Sequence, residues 1–175
     1  SGWTEVNNLN TTRGNLASSG GPSATTSSIV FGGYDGDRNE EAESWNGTSW
    51  TEVADLNSAR NQLGGAGASN TSALAFAGVS PSSPNAVAEL WNGTAWTEVG
   101  DLNTARYGLG SGGTATSAIA IGGEPKTGKT ELWNGTSWSE DGDLNVARQT
   151  VGGTAANNTS ALAFGGDAPG QSPSY

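Results

Sequence analysis

Trp3, Trp50, Trp96 and Trp138 each open a near-copy of one short sequence, at intervals of 42 to 47 residues. Leu9, Leu56, Leu102 and Leu144 keep the same intervals, and so do Arg13, Arg60, Arg106 and Arg148. A unit of this size cannot bury an apolar face alone, so a chain that repeats it must stack its copies. Single stand-out residues are then weak evidence for activity, because almost all of them stand out four times.

The copy from Arg60 to Val99 is the clearest. Arg60 to Ser69 is rich in Gly and Ala, with Leu63 its one large apolar residue. Thr71 to Gly78 alternates apolar and small residues, the pattern of a half-buried strand. A variable loop follows, then Glu89-Leu90-Trp91, Asn92-Gly93 and Trp96 to Val99. Asn-Gly between two aromatic-bearing strands predicts a tight hairpin with positive φ at both turn residues. The unit therefore reads as four short strands, and that unit at this period points to the blades of a β-propeller.

Composition agrees with thin sheets. A third of the chain is hydrophobic and 28 of its 175 residues are Gly. Polar, low-complexity sequence can mean disorder, but seven Trp in register argue for packing. The net charge of −10, with only seven Lys and Arg, disfavours nucleic acid and anionic membranes as partners. No apolar run reaches the length of a membrane span, so no membrane insertion is expected. Without His or Cys the commonest general base, metal ligands and thiol nucleophile are all missing.

The order of Arg, Gly-rich strand, apolar strand ending in Gly-Gly, variable loop, Glu-x-aromatic and Trp closely resembles the kelch repeat. Its carriers are Arg13, Gly32-Gly33, Trp45 and Trp50; Arg60, Trp91 and Trp96; Arg106, Gly122-Gly123, Trp133 and Trp138; and Arg148 with Gly165-Gly166. Ala77-Gly78 departs from the double glycine, and Trp-Asn-Gly replaces the usual Tyr-Asp. The compressed hairpin resembles kelch-like arrays of environmental phages and bacterial surface proteins, which implies a virion or extracellular setting. The copper chemistry of galactose oxidase, carried on a kelch propeller, needs His and a Tyr–Cys cross-link, and this chain has neither His nor Cys.

The resulting expectation is one all-β domain over residues 1–175, a propeller of about four four-stranded blades. The repeats run over about 13–53, 60–99, 106–141 and 148–175, the last completed by residues 1–9. Trp3-Thr-Glu-Val6 is expected to close that blade as its outer strand. A closed ring of four, part of a longer array, and a ring completed by self-association are all compatible with the count.

Period-matched aromatics normally wedge between units, so Trp3, Trp45, Trp50, Trp91, Trp96, Trp133 and Trp138 read as structural. Arg13, Arg60, Arg106 and Arg148 are expected at one mouth of the channel. There they would hold a ligand carboxylate or, the favoured reading, form a structural link to Asp55, Asp101 and Asp143. Tyr34, Asp35 and Asp37 join the arginines as ligand-binding candidates. Alternating oxygens in 35–41 resemble a calcium loop, but Glu40 stands where such a loop needs Gly, so no metal is expected. No cofactor and no catalytic set is expected either. The function expected is a non-catalytic module binding a glycan or protein through loops on one face; the alternative is a carboxylate-dependent glycan hydrolase or lyase.

Overall fold

Each Trp-Asn-Gly-x-x-Trp segment folds into a hairpin because the Asn side chain replaces missing backbone partners. In the computed structural model, which describes residues 2–21 and 24–170, Asn46 Oδ1 accepts the amides of Thr48 and Ser49, both at 2.9 Å. Asn92 and Asn134 do the same two and three residues on. The loop spans four residues, since Trp45 pairs directly with Trp50. Only its Gly has positive φ, 94° at Gly47. The expected two-residue turn is thereby corrected: side-chain capping lets Asn keep an ordinary φ.

The hairpins belong to three four-stranded antiparallel sheets, and no helix occurs among the described residues. The first contains β1 (Ala17–Ser18), β2 (Ser28–Tyr34), β3 (Arg38–Trp45) and β4 (Trp50–Val53). The second holds β5 (Gly64–Ser69), β6 (Ser72–Phe76), β7 (Ala88–Trp91) and β8 (Trp96–Val99). The third holds β9 (Gly110–Thr114), β10 (Ser117–Ile121), β11 (Thr130–Trp133) and β12 (Trp138–Asp141). In each, strand order follows chain order, as in a blade. A fourth sheet pairs β13 (Gly152–Asn157) with β14 (Ser160–Phe164) alone.

The short strand β1 and the Gly-containing strands β5, β9 and β13 all line one cavity of about 310 Å³. Neighbouring inner strands meet backbone to backbone, which explains their glycines. A Cβ on Gly112 would lie 2.5 Å from the Ala155 nitrogen, and one on Gly153 would lie 2.6 Å from the Ser111 nitrogen.

The core lies between sheets. Ile29, Phe31, Leu56 and Leu63 pack against Ala73, Ala75, Trp91 and Trp96. Leu74, Phe76, Leu102 and Leu109 pack against Ala118, Ala120, Trp133 and Trp138. Phe31 meets Trp96 edge-on, and Phe76 meets Trp138, each with ring centroids 4.9 Å apart. Trp45, Trp91 and Trp133 are buried and donate Nε1–H to Thr25, Asn70 and Ala115 carbonyls. Trp50 is half-buried against Trp45.

Trp3 is the exception. It is fully exposed, and residues 3–6 belong to no strand. The expected closure of the last blade is therefore not formed. In the three complete sheets the fourth strand pairs only with the third. With no third strand beside β14 among the described residues, residues 3–6 have no ladder to join. The part of the fourth repeat at 171–175 lies outside the described residues.

Candidate functional site

A backbone bridge recurs in every copy and fixes which segments share a face. The residue after each arginine pairs with the residue after the second glycine: Gly14 with Tyr34, Asn61 with Val79, Tyr107 with Glu124, Gln149 with Asp167. The first three variable segments also accept a hydrogen bond from the leucine leading into the next copy. Leu56 donates to Glu40, Leu102 to Ala86 and Leu144 to Gly128, at 2.8 to 3.0 Å. The variable loops thus form one rim, tied to the arginine-proximal segments.

On this rim, loops from three sheets enclose a cleft of about 300 Å³. Arg38 comes from the first, Ser82, Ser83 and Pro84 from the second, and Glu124 and Pro125 from the third. Asn61 and Tyr107 border it between them. Three polar atoms here are buried and have no hydrogen-bond partner among the described residues: Arg38 Nε, Asn61 Oδ1 and Glu124 Oε2. An unpaired buried polar atom costs about 1–3 kcal/mol, so a ligand that pairs these atoms gains what the free protein lacks. Two are acceptors and one a donor, which suits a ligand rich in hydroxyl or amide groups. Arg38 and Glu124 form no ion pair with each other.

The periodic arginines sit elsewhere. Arg13, Arg60 and Arg106 have wholly buried side chains, each ion-paired to the glutamate of the third strand. The distances are 2.8 Å to Glu43, 2.8 Å to Glu89 and 2.6 Å to Glu131. Each glutamate also accepts from an asparagine three residues before the arginine. Asn57 N and Nδ2 lie 2.7 Å from Glu89 Oε2, and Asn10 and Asn103 repeat the contact. Burial lowers the proton affinity of the Arg60 and Arg106 guanidiniums, and Glu89 and Glu131 oppose that shift. One nitrogen of each arginine has no hydrogen-bond partner among the described residues: Arg13 Nη2, Arg60 Nε and Arg106 Nε.

Two expectations are corrected here. The carboxylate partner is Glu, not the nearby Asp; Asp101 instead accepts the Ala88 amide at 3.4 Å. The side chains of three of the four arginines are also wholly buried and ion-paired, so they do not form a ring of free guanidiniums that could hold a ligand. Arg148 alone is only half-buried, with Nη1 donating to the Gly165 and Gly166 carbonyls.

Tyr34, Asp35 and Asp37 lie on the rim but outside the cleft. Tyr34 is exposed. Asp35 Oδ1 accepts the Asp37 amide and Asp37 Oδ1 the Arg38 amide, so both acids serve the turn. No cluster of metal-ligating side chains occurs among the described residues. Asn61 and Glu124 carry no periodic signal. What marks them is the opposite: they hold positions beside an invariant feature where the four copies disagree.

No protein-family model matches the chain, and no curated protein matches it.

Proposed function

We propose that this chain is a kelch-type β-propeller module that binds and does not catalyse. Its setting is a virion or cell surface, and it recognises a glycan or a protein through the variable-loop rim. The observation that carries this reading is the cleft between three loops, with Asn61 and Glu124 offering buried acceptors and Arg38 a donor. Recognition groups on loops held by a rigid repeated frame are a common arrangement. Acceptors that lack protein partners favour a hydroxyl-rich ligand, hence a glycan first.

The alternative is a carboxylate-dependent hydrolase or lyase. Its best support is that Glu43, Glu89 and Glu131 face Glu52, Glu98 and Glu140 across strands. A catalytic pair needs one carboxyl free to take and give a proton. The buried member of each pair is instead held by arginine and asparagine.

A glycan-array screen tests the proposal. Binding by the parent protein that is lost in Asn61→Ala and Glu124→Gln, with melting retained and no glycan cleaved, is the expected result. Release of reducing ends would favour the enzyme.

A further inference from the structure

The unpaired acceptors of the rim cleft sit on two backbone bridges, and each bridge joins a polar side chain to an apolar or aromatic one. Asn61 pairs with Val79, and Tyr107 with Glu124, both antiparallel. Directly opposed residues of an antiparallel pair carry their side chains on one face, with Cβ atoms about 5 Å apart. All four residues line the cleft. One wall therefore offers the Asn61 side-chain carbonyl beside the Val79 methyls. The other offers the Glu124 carboxylate beside the Tyr107 ring. Arg38 adds a buried donor, and Pro84 a further apolar surface.

The same bridge in the other two copies carries no such set. In the first, Gly14 has no side chain to set beside Tyr34. In the fourth, Asp167 Oδ2 is taken up by Gln149 Nε2 at 3.5 Å and by Lys126 Nζ at 3.2 Å. Among the described residues, only the second and third copies leave bridge acceptors buried and without a partner.

Charge narrows what can enter. A cation would meet the Arg38 guanidinium and an anion the Glu124 carboxylate, so a neutral ligand fits both walls. Resting on the reading of this cleft as the recognition site, we infer that its ligand is a sugar bearing an acetamido group. The sugar ring lays its C–H face on Tyr107 and donates a hydroxyl to Glu124 Oε2. The acetamido carbonyl accepts from Arg38 Nε, and its N–H donates to Asn61 Oδ1. Its methyl lies against Val79 and Pro84. A cleft of about 300 Å³ is at the small end for ligand sites, which suits one substituted ring and not a long chain.

The test titrates the intact, ¹⁵N-labelled chain with methyl glycosides and follows amide shifts. The probes are N-acetylglucosamine and N-acetylgalactosamine, with glucose, galactose and glucosamine beside them. Saturable shifts centred on Asn61, Val79, Tyr107 and Glu124 are expected for at least one acetamido sugar, with Kd on the order of 1 mM. The matching sugar with hydroxyl in place of acetamido should bind at least about tenfold more weakly, the effect of losing the paired amide contacts. That arm leaves the protein unaltered. Arg38→Met should bring the two sugars to within about twofold of each other, with shifts outside the rim unchanged from the parent. Equal affinity of acetamido and hydroxyl sugars in the cleft would overturn the inference and leave the cleft as the recognition site. Tighter binding of glucosamine, or of glycine as a zwitterion, would do the same. Shifts confined to the Asn-Gly hairpins would overturn both.

Discussion

Arg60 Nη2 lies 2.8 Å from Glu89 Oε1, and neither side chain reaches solvent. The pair joins the start of one repeat to its third strand, and its counterparts do so in the two other complete sheets. Breaking a buried ion pair strands a charge, whereas replacing both members with apolar residues does not. Arg60→Ala or Glu89→Ala should therefore cost about 3–5 kcal/mol in urea unfolding. Arg60→Met with Glu89→Leu should cost much less than the sum of the singles. A double variant as unstable as that sum would assign the pair a larger net attraction.

Trp96 and Trp3 head the same four-residue sequence in opposite environments. Trp96 is 6% exposed with its ring against Phe31; Trp3 is fully exposed. Thermal or urea melts of Trp96→Ala should show a loss of about 3–5 kcal/mol. Trp3→Ala should lie within about 0.5 kcal/mol of the parent. A large loss at Trp3 would show that the N-terminal segment packs in solution.

The residue two after each arginine has positive φ in every copy: Asn15, Gln62, Gly108 and Thr150. A β-branched residue is the poorest fit to that conformation. Thr150→Gly should gain about 1 kcal/mol, and Gly108→Thr should lose about 1–2. Calorimetry on the two variants checks the sign, which must be opposite.

Lys129 Nζ and Glu140 Oε1 are 2.7 Å apart at the surface. Their hydrogen bond holds the Glu140 carboxyl below its usual range and raises Lys129. The Glu140 contribution is present above the ordinary carboxylate pKa and is lost as pH falls through the lowered value. Because both groups are solvated, Glu140→Gln should alter the acid limb of a stability–pH curve only slightly, and less at high salt.

The strands were legible because their signals are local: alternation in Ser72–Phe76, the double glycines, the paired tryptophans. The Arg–Glu pairing was not. Asp55 and Glu89 recur with equal regularity around Arg60, and Asp55 is far closer in sequence. Only the fold of the third strand back onto the arginine decides between them. Trp3-Thr-Glu-Val6 shows the other limit. It is identical to β4 and β8, yet a strand exists only where a neighbouring edge can pair with it. The cleft was half legible: its rim followed from where the copies vary, but Asn61 and Glu124 meet only through tertiary structure.

We propose that recognition belongs to the variable-loop rim. It is tested most directly by exchanging Tyr34–Ala42 for Glu124–Thr130 and measuring melting together with binding to the glycan or protein found for the parent. A melting temperature close to the parent's and altered binding are expected, with Asn46, Asn92 and Asn134 hairpin variants binding as the parent does. Binding that survives grafts of all the rim loops and disappears when the Asn-Gly hairpins are altered would contradict it.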